Sequence, residues 1–416
     1  MMDLDSNAAE VKHTPYLQRK LPSLTLLLLA QVAAMAVWFA TTASLAAIRA
    51  HWPLSPFHAA LLTSSVQAGF VAGTAVSALF SLADRTDLRN LFSAAAVIAG
   101  LANFAILACE PTSAAVPLLR FLTGFCVAGI YPVGMKLAAT WAKGDLGLLI
   151  GLLVGAVTLG AALPHLIAAG GGLDWRVPEL GAAIAAIAAA LIIRFVGIGP
   201  HLAKAPPLRL GNALQVWRNR PVRLANLGYL GHMWELYAMW AWIGSFMTAS
   251  LHQRYGDAPP ISGPLATGAI VAAGAIGCLL GGWAADRVGR TLVTSAAMLI
   301  SGACAIGIGF LYGGDVWPLL AVGLIWGLTI IADSAQFSAA VTELSDRDLV
   351  GTMLTIQTCL GFLLTMASIQ LLPWVQTLVG WRFAFWFLAI GPALGVAAML
   401  RLRARPEAAR LAGGRR

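Results

Sequence analysis

The chain has 416 residues, 59% of them hydrophobic and only 11% charged, with a formal net charge of +9. A soluble domain carries about 25% charged residues, so there is too little charge to cover a water-facing surface of this size, and lipid is the expected solvent for most of the chain. The positive excess would suit nucleic acid, but it clusters on alternate breaks between apolar runs, so it reads as a topology signal and no nucleic-acid partner is expected.

Residues 1–20 are polar, and the first apolar run, Leu21 to Ile48, is too long for a signal-peptide core of about 7–15 residues; it reads as a retained span. A helix crosses a bilayer with about 20 apolar residues. On that rule the chain holds twelve spans, at 22–48, 57–82, 90–109, 114–138, 146–169, 178–199, 222–250, 264–284, 291–312, 316–340, 350–373 and 382–402. The break between the fifth and sixth runs is marked by Gly170-Gly171-Gly172. Pro200 to Pro221 is the only long polar break, basic and holding Pro206-Pro207. The expected organisation is a cytoplasmic tail (1–21), a six-helix bundle (22–199), a central loop (200–221), a second six-helix bundle (222–402) and a second tail (403–416).

With both termini inside, 22 of the 27 Lys and Arg fall on inner segments, among them Lys12, Lys204 and Arg209, and four fall outside: Arg49, Arg176, Arg254 and Arg382. That asymmetry predicts a multi-pass protein of the cytoplasmic (inner) membrane with both termini cytoplasmic; a bacterial source is expected. The 43 glycines suit close helix approach. Five cysteines, odd in number and without CxxC spacing, read as buried small residues, so no disulfide, metal or cofactor is expected.

Two pairs of landmarks repeat at nearly one offset. Asp84-Arg85 and Asp286-Arg287 lie 202 residues apart, and Asp174-Trp175-Arg176 and Gly380-Trp381-Arg382 lie 206 apart. A common offset near half the chain is what two homologous halves give, and doubled halves are a recurring plan for transporters, with the solute site between them. The stretch Gly282-Trp-Ala-Ala-Asp286-Arg287-Val-Gly289-Arg290-Thr291 fits the inner-loop pattern G-x-x-x-D-R-x-G-R-[RK] except at its last position. The first copy, Ser81-Leu-Ala-Asp84-Arg85-Thr-Asp-Leu-Arg89-Asn90, lacks both glycines and carries one extra residue before Arg89. Arg120-Phe-Leu-Thr-Gly124 fits R-x-x-x-G in the fourth span. Gly151, Gly155, Gly160 and Pro164 fit part of an exporter signature, with Leu163 where a glycine is expected.

With these motifs and twelve spans in two sixes, the chain resembles the major facilitator superfamily over about residues 20–405. The resemblance implies an all-α membrane fold of two pseudo-symmetric six-helix bundles, a monomer, and a cavity lined by spans 1, 4, 7 and 10. It implies gating by the inner loops, through Asp286, Arg287, Gly289 and Arg290 in one half and Asp84, Arg85 and Arg89 in the other. Physically, Asp286 can receive hydrogen bonds from Arg290 or from a helix N-terminus in one conformation and lose them in the other. The alternative is a charged loop that only anchors topology.

Few ionisable groups lie deep in spans, where each is costly. Arg120 lies ten residues beyond Glu110, Glu235 twelve beyond Arg223, and Asp333 ten before Glu343, placing all three near mid-bilayer at about 15–18 Å depth. Helical spacing puts His232 with Glu235, Thr329 with Asp333 and Gln336, Gln31 with Trp38 and Thr42, and Arg120 with Tyr131 on common faces. A carboxyl in a low-dielectric cavity takes up a proton more readily than one in water, so Glu235, Asp333 and the adjoining His232 are the candidates for proton coupling; the alternative is a structural hydrogen bond or an ion pair with Arg120. Arg120 can hold a substrate anion or neutralise an internal acid. Trp234 and Tyr237 are deep enough to stack on a solute or to pack between helices. Trp242 and Trp240 suit an outer interfacial belt, and Trp175 and Trp381 suit anchors of outer loops. The substrate-cavity candidates are thus Arg120, Gln31, Trp38, Thr42, Tyr131, Trp234, Tyr237, Thr329 and Gln336.

No nucleotide-hydrolysing loop or catalytic pattern is present. The expected function is secondary active transport, not enzymatic catalysis. The expected partners are the lipid bilayer, protons and a small organic solute with an anionic or zwitterionic part. Two alternatives are a proton-independent carrier of a small inorganic anion using Arg120, and a membrane sensor that keeps the fold but no longer cycles.

Overall fold

The computed structural model describes residues 19–171, 174–202, 211 and 215–416. Lys12, Gly172, Lys204, Arg209, most of the expected N-terminal tail and half of the central loop lie outside the described residues. Among those described there is no strand. Twelve long helical segments follow one another: α1 (Lys20–His51), α2 (Pro56–Leu79), α3 (Leu88–Ile106), α4 (Ala115–Ala139), α5 (Leu146–Gly171), α6 (Arg176–Phe195), α7 (Arg220–Tyr255), α8 (Gly263–Val288), α9 (Arg290–Leu311), α10 (Val316–Leu344), α11 (Val350–Val379) and α12 (Trp381–Arg403). Eleven are long and apolar enough to cross a membrane by length and composition. The exception is α7, whose 36 residues include His232, Glu235, Tyr237 and three tryptophans.

Local chemistry sets the helix ends. Ser55, Asn219, Ser262 and Asp315 accept backbone N–H bonds at the starts of α2, α7, α8 and α10, and Pro follows within two positions in the first three. Gly380, at φ 72°, ends α11. Two helices break near mid-span, α4 between Val127 and Tyr131 and α10 between Thr329 and Ser334, with Asp333 as N-cap of its second piece, and α12 is interrupted near its start at Phe385. Conversely, α11 runs straight past the expected end at 373. Pro373 cannot donate to the Ile369 carbonyl four residues back, and the indole N–H of Trp242 on α7 bonds that carbonyl at 3.0 Å instead. Trp242 is therefore buried structural glue and not part of an interfacial belt.

Helices α1 to α6 pack among themselves, as do α7 to α12; the two sets meet along α5–α8 and α2–α11, with a smaller contact between α1 and α7. Each set contains a pair of helices in backbone contact. A Cβ on Gly69 would fall 1.9 Å from the Phe121 carbonyl oxygen, and one on Gly124 1.9 Å from that of Val66, so α2 and α4 touch main chain to main chain. In α8 and α10 the same arrangement recurs, with Gly277 at 1.8 Å from the Leu328 oxygen and Gly327 at 1.8 Å from that of Ile270. Gly277 follows Gly69 by 208 residues and Gly327 follows Gly124 by 203, close to the motif offset. Side chains there would hold the helices apart, so packing replaces the hydrophobic driving force that lipid removes.

Candidate functional site

An aromatic layer fills the space where the two sets of helices meet. Trp38 on α1 stacks on Tyr237 of α7 with ring centroids 5.7 Å apart and lies 5.6 Å from Phe362 of α11. Phe70 of α2 meets Phe362 at 4.5 Å, and Phe39 meets Trp240 edge-on at 5.6 Å. Each such pair contributes about 0.5–1.5 kcal/mol beyond its buried area. Trp38 is fixed at its other end by its indole N–H, which donates to Gln67 Oε1 at 3.1 Å. Trp240 is fully buried in this layer and is not an interfacial residue. Toward the expected outer side, Gln370 Nε2 donates to Ser64 Oγ at 2.8 Å, closing α11 on α2.

Asp333 and His232 are both buried, with His232 Nδ1 2.9 Å from Asp333 Oδ1. This is ion-pair distance without hydrogen-bond alignment, and Asp333 Oδ1 and His232 Nε2 have no hydrogen-bond partner among the described residues. Asp333 sits at the N-terminus of the second piece of α10, where helix N–H groups favour negative charge. Glu235 is differently placed: its two oxygens accept from Ser301 Oγ of α9 and Trp326 Nε1 of α10, each at 2.8 Å. The structure thus puts the two acids in distinct settings, one with satisfied oxygens and one with polar atoms to spare.

Arg120 is fully buried, and its guanidinium is spent on protein. It donates to the carbonyls of Val37 (2.7 Å), Leu62 (3.3 Å) and Trp38, and to Asn103 Oδ1 (3.1 Å). Asn103 Nδ2 in turn donates to Glu179 Oε2 at 2.8 Å and to the Glu179 carbonyl at 2.8 Å. Among the described residues Arg120 bonds neither Glu235 nor Asp333; the acid in its network is Glu179 of α6, reached through Asn103.

The other expected cavity residues separate. Gln31 is fully buried with both side-chain polar atoms unpartnered among the described residues, packed against Gly134 of α4. Tyr131 opens the second piece of α4 and is half-buried. Thr42 pairs with Thr63 at 2.7 Å, and Thr329 donates back to the Ile325 carbonyl at 2.8 Å, as helix-packing threonines do. Trp234 turns away from the layer toward α12, where it donates to the Phe387 carbonyl at 3.1 Å and lines a crevice with Ile390 and Leu394. Gln336 accepts from Arg290 Nη1 at 2.6 Å and so belongs to the Arg290–Glu343 ion cluster. Trp175 is buried against Trp52 and not spread on an interface.

In the loops expected on the inner side, charges pair within each set of helices. Lys136 bonds Asp84 Oδ1 at 2.6 Å, and Arg89 bonds Asp87 at 2.8 Å, while Arg85 is exposed. The Arg89 guanidinium and N–H hold the Asp87 carboxyl down at about 2, well below the usual range. Arg290 grips Glu343 of α10 with two bonds of 2.9 and 2.7 Å and stands 4.0 Å from Asp286. Arg287 lies on the Trp283 ring at 4.0 Å. Asp286 faces across to α5, where a Cβ on Gly147 would lie 3.8 Å from its Oδ2. A cleft of about 540 Å³ separates α5 and α8 here, lined by Gly147, Gly151, Cys278, Trp283 and Asp286.

Residues 27–369 match the family model described as Major Facilitator Superfamily. The chain belongs to that superfamily. A crystal structure of a single-site variant of the nucleoside transporter NupG has the same fold, with a TM-score of 0.70 at 15% identity, over 92% of this chain and 99% of that chain. No curated protein sequence matches. Superfamily membership makes this a multi-pass membrane protein of the secondary transporter class.

Within that superfamily architecture, Asn103, Glu179, Ser301, Trp326 and Phe362 are the residues that sequence reasoning passed over. Asn103 and Ser301 are uncharged and sit inside apolar runs, and Glu179 stands at a run's edge, three residues after Arg176, where it looks interfacial. The one usable signal for Trp326 is its offset of 206 from Arg120, the same as between the two Trp-Arg pairs.

Proposed function

We propose that the protein moves a small organic solute with an anionic or zwitterionic part across the cytoplasmic membrane by alternating access, driven by proton movement through Asp333, His232 and Glu235. The observation that carries this reading is the Asp333–His232 pair at the break in α10, buried yet holding unpartnered polar atoms. Buried polar groups are normally bonded, so spare ones in a discontinuous helix suit a place where proton or solute is received. The inorganic-anion alternative needs the donors of Arg120, and four of its five N–H groups are taken by Val37, Trp38, Leu62 and Asn103. The Trp38–Tyr237 stack favours a solute with a flat apolar part; nucleosides, named for the structural neighbour, therefore join amino acids and carboxylates in the first thermal-shift screen.

With a solute in hand, Glu235→Gln and Asp333→Asn are compared in proteoliposomes. Both abolish uptake driven by a pH gradient while leaving counterflow exchange in part. Gradient-driven uptake at the wild-type rate in both variants refutes the coupling.

A further inference from the structure

The chain that follows α12 doubles back onto the α8–α9 loop. Between Pro406 and Gly414, Ala408 and Leu411 are fully buried, and Ala412, Gly413 and Gly414 adopt φ of 46°, 64° and 98° in succession. The Ala412 N–H donates to Glu343 Oε2 at 3.1 Å, so Glu343 joins this segment to Arg290. Beyond the turn, Arg415 Nη1 bonds the Asp286 carbonyl, and the Arg416 main-chain oxygen accepts from Thr291 Oγ1 and Arg403 Nη1, each at 3.0 Å. Gly289 makes the room: a Cβ there would stand 2.0 Å from the Arg416 oxygen and 2.3 Å from that of Arg415. A left-handed backbone is unfavourable for any residue but glycine, so the contacts on either side of Ala412 hold it there.

We propose that residues 406–416 are a strap that braces the α8–α9 loop with Asp286 facing the first turn of α5, and so holds the inner face closed. Asp286, Gly289 and Thr291 all touch the strap, and Arg290 meets it through Glu343. The first amides of α5 lack intrahelical partners, and the carboxylate of Asp286 favours them electrostatically. Freeing the strap lets the loop withdraw and the α5–α8 cleft open toward Cys278. The strap rests on the alternating-access reading but not on which groups carry protons.

The test needs no solute. The full chain is compared with a version ending at Arg405 and with the mild variants Arg415→Gln and Leu411→Ser. Two readouts are taken by peptide mass spectrometry: amide hydrogen exchange at residues 146–152, and N-ethylmaleimide labelling of Cys278. Release of the strap raises Cys278 labelling by about fivefold or more, the low end for coupling between sites, and speeds exchange in the first turn of α5. Faster exchange confined to residues 286–294, with α5 and Cys278 unchanged, overturns the proposal. If the shortened chain exchanges faster throughout α1, it has unfolded, and Arg415→Gln then decides by the same two readouts.

Discussion

Arg120→Met is the substitution that best separates a structural clasp from a solute clamp. The side chain makes four hydrogen bonds, to Val37, Trp38, Leu62 and Asn103. The three carbonyls are helical acceptors and lose only a second bond, but Asn103 and Glu179 lose the charge that balances them. Breaking a buried charged network by removing one partner costs about 3–5 kcal/mol. At roughly 2.1 cal/mol/K of unfolding entropy per residue, a chain of 416 residues would lose roughly 3–6 °C of Tm. The assay is thermal unfolding of purified protein followed by tryptophan fluorescence. Glu179→Gln in the same chain removes the stranded charge, so the double variant recovers a large part of the loss, and the two changes are not additive. Arg120→Lys recovers little, because an ammonium cannot reach four acceptors spread over three helices. Wild-type unfolding of Arg120→Met, or a deeper loss on adding Glu179→Gln, refutes the clasp. Normal stability with lost solute binding would restore the clamp.

Gly124→Ala forces a methyl to within 1.9 Å of the Val66 oxygen and lowers the Tm, by about 1–3 kcal/mol or more of stability; Gly282→Ala, with nothing within 4 Å of its Cβ, is neutral or slightly stabilising, and the same melting curves check both. Arg89→Leu removes the group that holds Asp87 at about 2. A depressed carboxyl contributes stability that is present above its unfolded value near 4 and is lost as pH falls toward 2, so acid unfolding begins at higher pH in the variant, by a small margin at a site this exposed. Trp38→Ala leaves a void beside Phe70, Tyr237 and Phe362 and costs about 3–5 kcal/mol, while Trp38→Phe keeps most of the packing and loses the bond to Gln67; chemical denaturation orders them as Ala, then Phe, then wild type.

The twelve helices were legible because each must supply its own apolar length, and the motif copies fixed which helices correspond. The end of α11 was not, since the Ile369 carbonyl freed by Pro373 is bonded by Trp242, 127 residues earlier in the chain. The burial of Arg120 was readable from its distance to the nearest loop, but its partners were not: main-chain carbonyls leave no trace in composition. Depth in the span made Trp234 and Tyr237 alike as candidates, yet depth alone cannot say which of two buried faces meets the opposite half; Trp234 faces α12. Gln336 shares a stripe with Asp333 at the start of the second piece of α10, but one turn further on it is bonded by Arg290, a partner 46 residues away that spacing cannot show.

The glycine contacts of α2 with α4 and of α8 with α10 have a mechanical meaning. Where main chain rests on main chain there are no rotamers to adjust, so these two pairs are stiff beams. Compliance is left to the joints filled by side chains, the aromatic layer and the α5–α8 and α2–α11 seams. A drug or antibody fragment seeking to arrest the cycle has most leverage when it wedges a joint, and least when it grips a beam.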